Sequence, residues 1–154
     1  MTILILAILI GIIAGLRSMT APAVVSWAAR LRWIHLDSSW LAFLGYSWTP
    51  WIFSIAALGE LIVDKLPSTP SRKAPPSFIF RIISGSVSGA TIGISRGSLS
   101  LGIAGGAIGA VIGTLGGAAA RSALARIFGK DLPAALLEDG VAVIGAILIL
   151  KATS

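Results

Sequence analysis

The chain has 154 residues, of which 56% are hydrophobic and only 12% are charged. Soluble domains usually carry about 25% charged residues, so this composition excludes an ordinary soluble domain and predicts a single multi-pass membrane domain over residues 1–154. The absence of cysteine and the single histidine exclude disulfides, thiolate nucleophiles and metal centres built from Cys or His. The formal charge of +6 is spread over loop ends, so we expect membrane lipids as partners and no nucleic acid.

The first apolar segment of the chain ends at Arg17. No Lys or Arg precedes it, so we interpret it as a retained first span, Thr2–Leu16, rather than as a signal peptide. Beyond Arg17 and Ser18, Thr20 is in a position to cap a new helix, predicted over about residues 21–34. The N–H groups that a restarted helix leaves free, together with Arg17, favour an anion site. The alternative is an arginine that extends to the interface beside a proline kink.

All five tryptophans and the single tyrosine lie between residues 27 and 51. Such aromatic belts mark a membrane–water boundary, so we expect residues 33–50 to form a loop at the face opposite the loops 67–75 and 129–132. The fold class is thus an all-α membrane protein of about five transmembrane helices, the first broken near Arg17–Pro22. The remaining apolar runs predict the other four spans, over residues 50–66, 77–95, 99–127 and 134–151.

Ionisable side chains interrupt these apolar runs close to one face of the membrane. Each lies a few residues from a loop on the same side, so we expect the side chains to converge. Such groups are costly in a bilayer and indicate a functional site. The alternative is a set of interhelical salt bridges that only hold the spans together. With the helix break, the predicted substrate-binding residues are Arg17, Ser18, Thr20, Glu60, Asp64, Arg81, Arg121, Glu138 and Asp139.

Glycine recurs at every fourth residue in spans 3 and 4. Residues four apart nearly superpose on a helix, so each set forms one ridge without side chains, which lets two membrane helices approach closely. We predict that spans 3 and 4 pack through these ridges, within one chain or between subunits. The predicted helix-packing residues are Gly85, Gly89, Gly93 and Gly97 in span 3 and Gly105, Gly109, Gly113 and Gly117 in span 4.

The sequence contains a faint internal repeat. Arg17-Ser18 and the later Ala57–Glu60 recur as Arg121-Ser122 and Ala135–Glu138. With five spans, such a repeat relates spans 1–2 and 4–5 in inverted orientation, which is the plan of many transporters. The matched stretches are short and differently spaced, so chance similarity is the alternative.

The residues favour transport over catalysis. No histidine lies near Ser18 or Ser68 to activate a serine, and the carboxylates have no spacing typical of a metal site, so we predict neither an enzyme nor a cofactor. We expect a transporter or channel-like protein for an anionic small solute or lipid head group. The alternative is a non-transporting subunit that organises lipids or a partner. A shared cavity lined by Arg17, Glu60 and Glu138 favours transport, and sealed ion pairs favour the alternative.

Three segments of the chain, Gly15–Ala23, Gly59–Arg72 and Leu136–Gly140, resemble a known family. Their sequences, GLRSMTAPA, GELIVDKLPSTPSR and LLEDG, are similar to those of a family of small bacterial integral membrane proteins that is catalogued as a domain of unknown function. The resemblance covers nearly the whole chain and implies a location in the bacterial inner membrane. It implies no substrate, cofactor or catalytic residue.

The size and charge of the chain give two further expectations. A chain this small does not easily enclose a pathway alone, so we expect a homo-oligomer such as a dimer. Basic residues are slightly more numerous beside the loops that follow spans 2 and 4. This favours a cytoplasmic location for the charged cluster and leaves dual insertion open.

Overall fold

The structure is a computed structural model that describes residues 2–154. These residues contain helices and no β-strand, which confirms the all-α prediction. The elements are α1 (Ile3–Leu16), α2 (Thr20–Arg30), a 3₁₀ turn (Ala42–Gly45), α3 (Thr49–Val63), α4 (Pro75–Ser95), α5 (Leu99–Phe128) and α6 (Asp131–Lys151).

Three of the helices are long and apolar enough to cross a membrane. They are α4, α5 and α6, with 21, 30 and 21 residues, and a crossing of about 30 Å takes roughly 20 residues. Helices α1 and α3 are also apolar but have only 14 and 15 residues. The fold is therefore that of a membrane protein with three long candidate spans, and two of the five expected spans are shorter than a full crossing needs.

The chain turns back on itself at Arg17. Helix α1 runs toward the end of the bundle that holds the charged side chains. Helix α2 runs away from that end, because its start contacts Glu60 near the end of α3 while its Trp27 contacts Trp51 near the start of α3. The break that the sequence predicts is thus a hairpin between two helices rather than a kink in one span.

Helix α2 ends at Arg30, four residues before the predicted end at Ile34. Arg32 adopts a left-handed conformation with φ of 60°. The N–H of Arg32 donates to the carbonyl of Ala29 at 3.2 Å, and the N–H of Trp33 donates to Ala28 at 2.8 Å. This pair of bonds satisfies the last carbonyls of the helix and stops it.

The segment between α2 and α3 packs back on the bundle. Leu36, Leu41 and Leu44 are buried, whereas Tyr46 and Trp48 are 63% and 78% exposed. The loop lies at the far end of α2 and α3 from the charged side chains. Its aromatic residues thus lie at the end of the bundle where the sequence places them.

Helix α1 lies at the centre of the bundle, against α5, α4 and α6. Leu6 and Ile10 on α1 are fully buried. Helix α3 lies at the edge instead, against α2 and the 3₁₀ turn, and Pro50 is the residue of α3 that is buried. Packing against α2 and the 3₁₀ turn therefore holds the start of α3. The end of α3 is held by the polar contacts of the charged side chains.

Glycines of α4 lie against the backbone of α5. A Cβ atom at Gly85 would lie 2.6 Å from the carbonyl oxygen of Gly106, and one at Gly89 would lie 2.8 Å from Gly106 Cα. A Cβ at Gly93 would lie 3.0 Å from Gly102 Cα. The α5 residues that face these glycines are Gly102 and Gly106, which belong to neither predicted ladder.

The predicted ladder on α5 faces α1 rather than α4. A Cβ at Gly105 would lie 2.8 Å from Ala7 Cβ, and one at Gly109 would lie 2.9 Å from Gly11 Cα. Gly113 lies against Ile12. Residues along α5 thus follow those of α1 in the same order, so the two helices run in the same direction. This contradicts an inverted relationship between the segments that end at Arg17 and Arg121.

Two ladder positions differ from the others. Gly97 lies outside α4, in the turn to α5, with φ of +82° and no atom within 4 Å of an added Cβ. A left-handed turn rather than helix packing explains glycine there. Gly117 lies beside side chains instead of backbone, with Arg72 NH1 3.2 Å and Glu138 Oε1 3.5 Å from an added Cβ. It therefore borders the charged cluster.

Candidate functional site

Charged side chains from α3, α4, α5 and α6 surround the C-terminal end of α1. Arg81 lies six residues into α4 and Glu138 seven residues into α6, which is roughly 9–10 Å from the helix ends at about 1.5 Å per residue. Both side chains are buried. A buried charge needs a partner, and the structure supplies one for each.

Arg17 is fully buried and binds two aspartates. Its Nε donates to Asp139 Oδ1 on α6 at 2.7 Å, and its NH1 pairs with Asp64 at the end of α3. Asp139 also accepts from Lys65 Nζ at 2.6 Å. Arg17 thus ties the ends of α1 and α3 to α6, and an arginine buried without these partners would be strongly destabilising.

The carboxylate of Glu60 binds the break between α1 and α2. Its Oε1 accepts from the N–H of Ser18 at 2.7 Å and from Ser18 Oγ at 2.6 Å, and its Oε2 accepts from the N–H of Met19 at 2.8 Å. Backbone N–H groups ahead of a helix attract anions. The anion at the predicted site is therefore an acid of the same chain.

Thr20 does not cap α2 as predicted. The helix already includes Thr20, its N-cap residue is Met19, and no side chain forms a capping hydrogen bond. The physical reason is that the open donors of the break belong to Ser18 and Met19, two residues and one residue before Thr20, where Glu60 reaches them. Thr20 is buried and contributes to packing.

Arg81 covers the C-terminal end of α1. Its NH1 donates to the carbonyl oxygens of Gly15 and Leu16, each at 2.9 Å, where a cation also complements the helix dipole. Its NH2 lies 3.6 Å from Glu60 Oε1 and 3.7 Å from Asp64 Oδ2. The buried Nε of Arg81 has no hydrogen-bond partner among residues 2–154, so this side chain keeps one unused donor.

Arg72 and Arg121 meet at Glu138. Arg72, in the loop between α3 and α4, binds both carboxylate oxygens of Glu138, with NH2 3.0 Å from Oε2. Arg121 NH1 lies 3.6 Å from Glu138 Oε2. The Nε and NH2 of Arg121 also donate to the two oxygens of Asp131, at 3.0 and 2.6 Å. Arg72 therefore fastens its loop to α6.

The ion pairs within the described chain form two separate networks, each with equal numbers of basic and acidic groups. The formal charge of each is thus balanced, as low-dielectric surroundings require. The first, the Arg17 network, comprises Arg17, Glu60, Asp64, Lys65, Arg81 and Asp139. The second, the Arg121 network, comprises Arg72, Arg121, Asp131 and Glu138.

Sequence reasoning missed two members of these networks, Arg72 and Asp131. Lys65, which directly follows Asp64, is recognisable from the sequence as a group that can neutralise Glu60 and Asp64, although it is not among the predicted substrate-binding residues. Arg72 lies in a loop rich in Ser and Pro whose composition is typical of a solvated segment, so no local signal marks its partner. Asp131 resembles any acid in the first turn of a helix, and only the fold brings it to Arg121.

Two clefts adjoin the charged side chains. The arginine cleft, of about 540 Å³, lies between the loop after α3 and the nearby ends of α4 and α5, and its charged lining residues are Arg72, Arg81 and Arg121 with Asp64 and Asp131. The apolar cleft, of about 270 Å³, lies between α5 and α6 and is lined mainly by Leu, Ala, Val and Gly side chains, with Arg121 and Glu138. Arg17 and Glu60 line neither cleft.

Comparison with known proteins adds no assignment to this geometry. The chain matches no protein-family model, no curated protein and no solved structure. Within residues 2–154, no three His, Cys, Asp or Glu side chains are placed to hold a metal ion.

Proposed function

We propose that this chain is a small transporter or channel-like protein that binds an anionic solute or lipid head group in the arginine cleft. The observation that carries the proposal is the set of three guanidinium groups lining one cleft, those of Arg72, Arg81 and Arg121. Guanidinium groups bind carboxylates and phosphates through paired N–H donors. The cleft volume of about 540 Å³ is within the usual range of small-molecule sites, about 300–1,000 Å³.

Asp131 occupies the position on Arg121 that an anionic ligand would take. It receives two parallel N–H donors from the guanidinium group, yet its side chain is 60% exposed. An exposed carboxylate loses little when it moves into water, so a ligand phosphate or carboxylate can replace it. Exchange of Asp131 for ligand keeps the local charge balanced.

Arg17 and Glu60 have a different role in this proposal. They hold the hairpin between α1 and α2, whose non-helical backbone lies at membrane depth. Such backbone is tolerated in a bilayer only where protein or a cavity covers it, and Glu60 satisfies the N–H groups of Ser18 and Met19. Broken helices of this kind are typical of transporters.

The proposed arrangement in the membrane follows from the helix directions. The chain crosses the bilayer at α4, α5 and α6 and also at α3, whose 15 residues are too few for a full crossing and are continued by the residues after Val63. Helices α1 and α2 form a hairpin that enters and leaves at the aromatic face, the end of the bundle with the loop 33–50. This replaces the five-span arrangement with four crossings and one re-entrant pair. Glycine contacts of α5 with both α1 and α4 hold the bundle together. We further propose a bacterial inner-membrane location and a homo-oligomer.

The binding part of the proposal can be tested with purified protein in detergent. Inorganic phosphate is titrated while the thermal unfolding midpoint is measured, since a ligand that binds the folded state raises it. We expect phosphate to stabilise the wild type and the control Arg126→Gln, whose arginine is exposed and lines neither cleft. Arg121→Gln should lose the stabilisation. An equal response of all three proteins would contradict anion binding in this cleft.

A second function is favoured by the way the acids are paired. Arg17 and Glu60 are sealed in contacts within the chain and line neither cleft, as a structural subunit would require. The chain would then bind lipid without moving any solute. Proteoliposomes separate the two functions: uptake of radiolabelled phosphate that Arg121→Gln abolishes supports transport, and phosphate binding without uptake supports the structural subunit.

A further inference from the structure

The two clefts adjoin each other through one side chain. Arg121 lines both, with the arginine cleft on one side and the apolar cleft on the other. One compartment presents guanidinium groups, and the next presents almost only hydrocarbon. A small soluble anion would use the first compartment and leave the second without a role.

The apolar cleft arises where small residues face each other across α5 and α6. Gly116, Gly117 and Ala120 form its α5 side, and Ala134 lies opposite on α6. Leu137 and Val141 at its border are 50% and 60% exposed, so the cleft opens on the hydrocarbon side of the bundle. Apolar cavities do not retain water. The molecule available to fill it in a bilayer is therefore an acyl chain.

We propose that the ligand is an anionic phospholipid, with its phosphate in the arginine cleft and one acyl chain in the apolar cleft. This inference rests on the proposed function and names its ligand class. Arg121 would bind the phosphate at the junction, and Arg72 would reach it from the loop after α3. The larger cleft, of about 540 Å³, would hold the head group, and the smaller cleft, of about 270 Å³, would hold the chain.

Gly116 allows the two compartments to be tested separately. It lines the apolar cleft, and an added Cβ there meets no atom within 4 Å, so we expect the side chain of Gly116→Leu to occupy the cleft. Gly140 on α6 is also free of neighbours within 4 Å but lines neither cleft. Gly140→Leu is therefore the matched control, since it adds the same side chain to a membrane helix.

The first experiment titrates the detergent-purified protein with dioleoyl phosphatidylglycerol and detects bound lipid by native mass spectrometry. The second titrates the same protein with inorganic phosphate and measures the thermal unfolding midpoint. We expect the wild type and Gly140→Leu to retain the lipid. Gly116→Leu should bind it at least about tenfold more weakly, which corresponds to roughly two methylene groups left unburied. Its response to inorganic phosphate should remain that of the wild type, because the arginine cleft is unchanged.

The outcomes separate this inference from the proposed function. If Gly116→Leu binds the lipid as tightly as Gly140→Leu, the apolar cleft does not hold the chain and the inference is wrong, while phosphate stabilisation still supports the arginine cleft. If phosphate stabilises neither the wild type nor Gly116→Leu, the proposed function itself is wrong. Equal binding of dioleoyl phosphatidylcholine, a lipid without net charge, would also overturn the assignment of an anionic lipid.

Discussion

Arg17 is the most deeply buried charged residue of the described chain. It binds Asp64, at the end of α3, and Asp139, on α6. Its removal leaves three carboxylates in the network, those of Glu60, Asp64 and Asp139, with only Lys65 and Arg81 to neutralise them. The cost is therefore that of a broken buried pair rather than of a surface contact.

We expect Arg17→Gln to lower the free energy of unfolding by about 3–5 kcal/mol, the usual cost of breaking a buried ion pair. Thermal unfolding in detergent measures this effect. The control is Arg30→Gln, because Arg30 is an exposed arginine at the end of α2. Equal unfolding midpoints for the two variants would show that Arg17 is not paired as described.

Glu60 should be coupled to Arg81 and not to Arg121. Glu60 Oε1 lies 3.6 Å from Arg81 NH2, whereas Arg121 belongs to the other network. In double-mutant cycles, Glu60→Gln with Arg81→Gln should give a coupling energy of about 0.5–3 kcal/mol, and Glu60→Gln with Arg121→Gln should be additive. Additivity in both cycles, measured by denaturation, would remove Glu60 from the Arg17 network.

The sequence indicates which residues carry charge at membrane depth but not which of them pair. Arg81 and Arg121 have the same local setting, an arginine in an apolar helix, and yet Arg81 binds Glu60 and Arg121 binds Asp131. Long side chains reach across several helices, so their partners depend on helix rotation and depth. The residue pattern of a single helix shows neither how that helix is rotated nor how deep it lies relative to its neighbours.

At the scale of elements, the limits of α4 and α5 were predictable to within two residues because Pro and Gly mark them. Helix α4 begins at Pro75, and α5 ends before Gly129, which has φ of 69°. The partners of the glycine ridges were not predictable in the same way. A ladder shows that one face of a helix carries glycines, but it does not show which helix packs there. Helix α5 has two such faces, one against α1 and one against α4.

Glycine substitutions on these faces should destabilise the bundle. Gly89→Leu and Gly109→Leu place a side chain against the backbone of α5 and α1, where even a Cβ would lie 2.8 Å from Gly106 Cα and from the nitrogen of Ile12. We expect lower unfolding midpoints or loss of folded protein in detergent. Gly59→Leu is the control, since an added Cβ there meets no atom within 4 Å. Wild-type midpoints for both variants would contradict this packing.

At the scale of the whole molecule, orientation depends on the basic residues near the two ends of the bundle. Those beside the arginine cleft are Lys65, Arg72, Lys73, Arg126 and Lys130, whereas Arg30, Arg32, Arg96 and Lys151 lie toward the aromatic face. Because the basic residues beside the cleft are slightly more numerous, the cleft should face the cytoplasm.

Reporter fusions at Ser71 and Ser154 test this orientation. Ser71 lies in the loop beside the arginine cleft, and Ser154 follows α6, which ends at the opposite face. We expect cytoplasmic activity from the fusion at Ser71 and extracytoplasmic activity from that at Ser154. Signals on the same side would contradict four crossings, and an extracytoplasmic Ser71 in every copy would reverse the orientation.

The central claim is that Arg72, Arg81 and Arg121 form a site for an anion. The most direct measurement is an experimental structure of the protein purified with its native lipid. We predict density for a phosphate group about 3 Å from the guanidinium nitrogens of Arg121, with Asp131 displaced toward water. A cleft without such density, in which Asp131 still binds Arg121 while lipid phosphates lie elsewhere on the protein, would contradict the claim.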